Sequence, residues 1–155
     1  MNHTEISWMG YKRKDGRKGI RNRVLVIYTV KCAEHVARKI VDEVHHPEVE
    51  LLGFDGCTDN QYAVNMLISL IRHPNVGAVL TVGLGCEYVQ PEWLEKIALQ
   101  EEKISSWIRI QDEGGTVPSI KKGVAWVREA LKELEHTPRV QMTLQDLVIL
   151  SLIHI

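Results

Sequence analysis

Arg23-Val-Leu-Val-Ile-Tyr-Thr-Val30 is the stretch that decides the fold. A continuous run of β-branched and apolar residues at strand length predicts a strand buried on both faces, as in a parallel sheet. Residues 33–45 follow with Val36, Ile40, Val41 and Val44 at helical spacing and charged residues between them, which predicts a helix. The alternation then repeats. Val49-Glu-Leu-Leu-Gly-Phe54 reads as a second strand, and Asp59 or Asn60 can cap a helix carrying Ala63, Met66, Leu67, Leu70 and Ile71. Val76-Gly-Ala-Val-Leu-Thr-Val82 reads as a third strand. Pro91 suits the first turn of a helix to about Gln100, residues 104–111 read as a fourth strand, and residues 118–136 as a helix. Residues 147–153 have the composition of a fifth strand.

Strands and helices in this order, with short connections, predict an α/β fold. It is three-layered, with a mostly parallel, Rossmann-like sheet of about five strands and helices on both faces. Residues 1–22 read as a basic arm or loop, residues 23–149 as the α/β domain, and residues 150–155 as a non-native or truncated tail. The chain of 155 residues is 45% hydrophobic and 25% charged, a balance that excludes a disordered chain or a disulfide mini-protein. No apolar run reaches membrane length and residues 1–10 lack a signal pattern, so a cytoplasmic protein without a membrane partner is expected.

The net charge of −1 argues against bulk nucleic-acid binding, but it is unevenly spread. Residues 12–23 hold seven basic residues against one acid, so this segment carries +6 and the rest −7. From charge alone it reads as a solvated loop; read functionally, it is an arginine-lined clamp for an acidic substrate. Cys32, Cys57 and Cys86 are spaced too widely for a CxxC site and are odd in number, so reduced thiols are expected.

Ligands of such sheets gather beyond the carboxyl ends of the strands. All three cysteines follow a predicted strand within two to four residues. Any one of them alone reads as a small buried hydrophobe; three at equivalent positions read as a site, since thiolates are good ligands for iron and zinc. Gly83-Leu-Gly-Cys-Glu87 could cradle an anion, although it lacks the order of a nucleotide-binding motif. The base is left unassigned: His35, three residues after Cys32, is a candidate against the plainer reading of a structural histidine, and a base on a further domain is the alternative.

Taken together, these motifs resemble a known family. Gly10-Tyr-Lys-Arg-Lys-Asp-Gly-Arg-Lys-Gly-Ile-Arg-Asn22 is similar to the opening G-Y-x-R-x-D-G-R-x-G-x-R-N of the altronate/galactarate dehydratase family. Cys32, Gly56-Cys57, His73-Pro-Asn-Val76, Gly83-Leu-Gly-Cys-Glu87, Gln90-Pro91, Ile110-Gln-Asp112 and Gly114-Gly-Thr116 follow in the family's order. The resemblance covers residues 10 to about 149. It implies a hydro-lyase that removes water from a sugar acid with iron(II). The large subunit of sulfolactate sulfo-lyase, which expels sulfite from a related 2-hydroxy acid, belongs to the same family, so the substrate stays open between the two.

The resemblance further implies Cys57, Cys86 and Cys32 as metal ligands, with Glu87 and Gln111 near the site. Arg17, Arg21 and Asn22 are the expected substrate-binding residues, placed beside the strand ends that carry the thiols. Family members continue into a larger C-terminal domain and carry a small N-terminal domain or subunit. These are the expected partners, with homo-oligomerisation left open. The isolated chain is then expected to fold without turning over substrate; a non-catalytic module that binds an acidic metabolite or a subunit is the competing reading.

Overall fold

The computed structural model describes residues 6–148. Its elements run β1 (Ser7–Lys12), β2 (Lys18–Gly19), β3 (Arg23–Tyr28), α1 (Lys31–Val44), β4 (Val49–Gly53), α2 (Gln61–Ile71), β5 (Val76–Gly83), α3 (Pro91–Gln100), β6 (Ile104–Arg109), α4 (Thr116–Glu135) and β7 (Arg139–Thr143). A short 3-10 turn, Leu144–Asp146, follows.

Four strands form a parallel sheet in the order β4-β3-β5-β6. Alternate residues of β3 explain the three layers. Val24 and Val26 pack with Val36, Ile40, Val124 and Val127 of α1 and α4 on one face. Leu25 and Ile27 pack with Val64, Leu67 and Leu94 of α2 and α3 on the other. The continuous apolar run is therefore two half-runs, one for each layer. All eight residues of β5 are buried, as a central strand requires. Asn60 caps α2, its side chain accepting a hydrogen bond from the Ala63 amide at 3.1 Å.

Two expectations change. The segment read as an arm contains β1 and β2, which pair antiparallel; β1 also pairs antiparallel with β7, giving a second sheet ordered β2-β1-β7. Its charges lie at the turn and along the edge, while one face packs inward. Gly10 leaves room for the buried Met142, whose Sδ would lie 2.1 Å from a Cβ placed there. The parallel sheet has four strands, not about five. The last strand of the described residues is residues 139–143, antiparallel and outside the parallel sheet; Leu147 and Val148 are in no strand. The remainder of the expected fifth strand, and the tail 150–155, lie outside the described residues. Among the described residues no helix is long and apolar enough to cross a membrane.

Candidate functional site

The parallel strands all point one way, so the sheet has two chemically distinct edges. The amino edge carries the turns leading into β4, β5 and β6; the carboxyl edge carries the loops leaving β3, β4, β5 and β6.

The three cysteines all lie at the carboxyl edge. Cys32 lies in the first turn of α1, Cys57 in the loop after β4 and Cys86 in the loop after β5, and all three are free and exposed. None is the buried hydrophobe that a lone cysteine suggests. The Cys57 and Cys86 loops are joined by the Tyr88 amide donating to the Cys57 carbonyl at 3.0 Å. Glu87 is buried at 2% exposure. Its Oε1 accepts from Thr29 Oγ1 at 2.8 Å and the Leu84 amide at 3.0 Å, and its Oε2 from the Gly85 amide at 2.7 Å. Gln111 borders the same loop, its amide donating to the Leu84 carbonyl at 3.2 Å. The loop's anion cradle is thus filled by its own glutamate.

The cations of this edge face carboxylates. Lys31 Nζ lies 2.6 Å from Glu34 and 3.5 Å from Asp55. Arg109 meets Glu92 and, at 2.9 Å, Asp112. Hydrogen bonds from Arg38 and Lys31 pull the Glu34 carboxyl down to about 2. Tyr28 donates to Asp55 at 3.0 Å, and burial, followed by that hydrogen bond, pushes its hydroxyl up. His35 is exposed on α1, one turn beyond Cys32. Beside this edge an apolar groove of about 380 Å³ runs between α2 and α3, lined by Val64, Ile68, Tyr88 and Trp93 among others.

Arg17, Arg21 and Asn22 stand at the opposite, amino edge, which corrects their expected placement. The reason is topological: they precede β3 directly, so they meet the residues that lead into the neighbouring strands. Arg17 donates to the Arg72 carbonyl at 2.7 Å and pairs with Asp15 at 2.5 Å. The Arg17 backbone amide, donating to Asp15 at 2.9 Å, and after it the Arg17 side chain hold the Asp15 carboxyl below its usual range. Arg21 faces Glu48 at 3.7 Å. Asn22, buried, accepts from Arg13 at 2.9 Å and donates to Thr137 Oγ1 at 3.0 Å.

Four more basic residues of the segment are engaged similarly. Arg13 Nε donates to the Pro74 carbonyl at 2.6 Å, Lys14 pairs with Glu102 at 3.3 Å, Lys18 with Asp146 at 2.9 Å and Arg23 with Glu50. Nearby Lys103, buried, donates to the carbonyls of His73 and Val76 at 2.9 and 3.0 Å. Burial, with Arg13 close by, pushes its ammonium down to about 7. Arg21 and Asn22 do line a cleft of about 290 Å³, shared with Tyr11, His46, Glu48 and Arg139, but it opens on the amino edge, away from the thiols.

The D-galactarate dehydratase/altronate hydrolase second domain matches residues 10–135, most of the chain. The chain belongs to this family. It is 26% identical to an altronate dehydratase of Bacillus subtilis over 92% of its own length and 31% of the relative's. It is 36% identical to an altronate dehydratase of Escherichia coli over 50% of its length and 18% of the relative's. It is also 27% identical to a (2R)-sulfolactate sulfo-lyase subunit beta of Chromohalobacter salexigens, over 85% and 35% respectively. The chain therefore spans about a third or less of these relatives. No solved structure matches it.

For this second domain the donor chemistry can be set against the iron that the resemblance implies. Among the described residues no group of three or more His, Cys, Asp or Glu stands together so as to hold a metal ion. Glu87 is committed to three donors, and Asp55 faces Tyr28 and Lys31. The described residues alone do not fit a complete iron site. Reading the sequence missed Thr29, the buried hydroxyl that ties β3 to the Glu87 carboxylate. Its one signal is a polar residue inside the apolar run 24–30.

Proposed function

We propose that this chain is the second-domain portion of a sugar-acid dehydratase. The observation that carries this reading is the family match across residues 10–135, together with altronate dehydratases among its relatives. The proposed reaction is an elimination. A proton leaves C2 of a 2,3-dihydroxy acid, the 3-hydroxyl departs with the C–O electron pair, and the resulting enol becomes a 2-keto acid.

The carboxyl edge is the part we assign to the site. Cys57 and Cys86, joined through Tyr88, would present two thiols toward whatever completes the donor set, with Cys32 beside them. Since the described residues do not assemble a metal site, no step is derived through iron. His35 is exposed one turn beyond Cys32, no hydrogen bond orients it among the described residues, and we assign no base. The Arg17, Arg21 and Asn22 motif we assign to holding the domain together. A small substrate cannot meet these residues and the thiols on opposite edges of one sheet.

Sulfolactate cleavage is the second reading, favoured by the sulfo-lyase subunit match over 85% of the chain. A chimera separates the two. Residues 10–135 would replace the matching stretch of the Bacillus subtilis altronate dehydratase, followed by assays with altronate and with sulfolactate. Formation of 2-keto acid from altronate is expected; sulfite release from sulfolactate alone would favour the second reading, and a folded chimera active on neither would overturn both.

The chain alone, even with iron(II) under anaerobic conditions, is expected to show no turnover, because misplacing groups by about 1 Å already costs on the order of 10²-fold. Turnover within about tenfold of a full-length relative, only about 1.4 kcal/mol of barrier, would refute the incomplete site.

A further inference from the structure

We propose that Glu87 is a positioning residue. Its carboxylate fills the amide nest of residues 83–85 and so sets the Cys86 loop against the Cys57 loop. The inference rests on the proposed reading only for the importance of those two thiols.

The contacts of Glu87 all run to the strand ends and loops of the carboxyl edge. Leu84 and Gly85 present consecutive amides to its two oxygens, the arrangement that backbone nests use for anions. Thr29, fully buried at the end of β3, supplies the third donor. The loop is built around this carboxylate. A Cβ at Gly83 would lie 2.1 Å from Glu87 Oε1, and Gly85 adopts φ +135°, where a side chain would meet Gln111 Oε1 at 2.3 Å.

Glu87 stands between the two residues that matter. Cys86 precedes it, and Tyr88, which follows, donates its amide to the Cys57 carbonyl. Its own carbonyl accepts from Gln90 Nε2, whose Oε1 accepts from Arg109 at 3.3 Å. Recruiting Glu87 as a metal ligand or base would strip two half-buried backbone amides of their acceptor, at a cost for donors left unmet. Its role is to act through Cys86 and Tyr88.

The test is native-state amide exchange of the 155-residue chain carrying Glu87→Ala, read without substrate or metal. Its failure is thus separate from failure of the lyase reading. Leu84 and Gly85 lose their acceptor directly. The informative amide is Tyr88, which donates to the Cys57 carbonyl and not to the Glu87 carboxylate; its protection is taken relative to the intrinsic rate of each sequence, because the preceding side chain alters that rate. We expect its exchange to quicken by about tenfold, which corresponds to about 1.4 kcal/mol of local opening, while the amides of β3 keep their protection. Sodium formate should enter the vacated nest and restore Tyr88 protection, whereas sodium chloride at equal ionic strength should not.

Unchanged Tyr88 exchange in the folded variant would overturn the proposal. So would uniform loss of protection across β3 and the loop that formate fails to reverse, because that describes a merely structural group. Should Glu87→Ala not fold, Thr29→Val removes one donor and keeps the shape; Tyr88 should then quicken by roughly threefold, on the same scale of local opening. No change there would equally overturn the assignment.

Discussion

The two edges of the parallel sheet are built by the same four strands and have opposite chemistry. At the amino edge, six of the seven basic residues of segment 12–23 are engaged with carbonyls or carboxylates of the same chain. At the carboxyl edge three thiols from distant parts of the sequence stand exposed. Charge that is dense in sequence is dispersed in space as staples between turns. Cysteines that are sparse in sequence are gathered on one edge, because each follows a parallel strand. Density along the chain is therefore a poor guide to a site, and equivalence of topological position a better one.

If the amino edge is structural, its buried members should be costly to remove. Asn22→Ala should have the largest effect. It leaves Arg13 without a side-chain acceptor and Thr137 without a partner beside the closely packed Gly77, whose Cβ would lie 2.1 Å from Asn22 Oδ1. A loss of about 3 kcal/mol is expected by urea denaturation, at ~1–3 kcal/mol per buried group left unmet. The melting temperature should fall by roughly 6–12 °C for a chain of this size. A loss under ~0.5 kcal/mol would break the structural account of this edge.

A smaller, pH-dependent effect is expected at Lys103. Its pKa in the fold lies near 7, below the ordinary 10.5, because burial penalises the charge. Between those values the unfolded chain holds the proton and the folded chain releases it, so this group makes stability rise as pH increases from about 7 toward 10.5. Its hydrogen bonds to His73 and Val76 favour the ammonium and work against that rise. Urea midpoints at pH 7 and pH 9 should therefore increase for the wild type relative to Lys103→Met. A wild-type midpoint that falls relative to the variant would show that hydrogen bonding outweighs burial.

Arg17→Ala should matter less, about 0.5–1 kcal/mol, since its pair with Asp15 is half-exposed. Thermal denaturation in low and high salt checks it. A large loss insensitive to salt would mean that the bond to the Arg72 carbonyl carries the contribution.

The apolar run 23–30, the strand–helix alternation and the Asn60 cap were legible because burial on two faces and capping are local in sequence. The thiol edge was legible for the same reason, since strand ends can be counted. The second sheet was not. β2 is two residues long, β1 is six, and the other partner of β1, β7, lies more than a hundred residues away, so that pairing has no local signature. The charge of residues 12–23 suggested a clamp for substrate because a sequence shows cations but not the carbonyls that they will meet. Placing that segment before β3 already put it at the amino edge, and following that step would have separated it from the cysteines.

The smallest expected effect is the sharpest test of the carboxyl edge. Cys57→Ser combined with Cys86→Ser removes two exposed thiols for which no hydrogen bond through sulfur is seen among the described residues, so stability should stay within about 0.5 kcal/mol of the wild type. A thiol-specific reagent should titrate three groups in the native wild type and one, Cys32, in the variant. Because no third donor joins the thiols among the described residues, iron(II) retained by the isolated chain after gel filtration should be sub-stoichiometric in both proteins. Stoichiometric iron that disappears with the two serines would mean that this edge closes a metal site without help. A loss of more than about 1 kcal/mol would place the thiols in the packing instead, and the contrast between a spent amino edge and an available carboxyl edge would not stand.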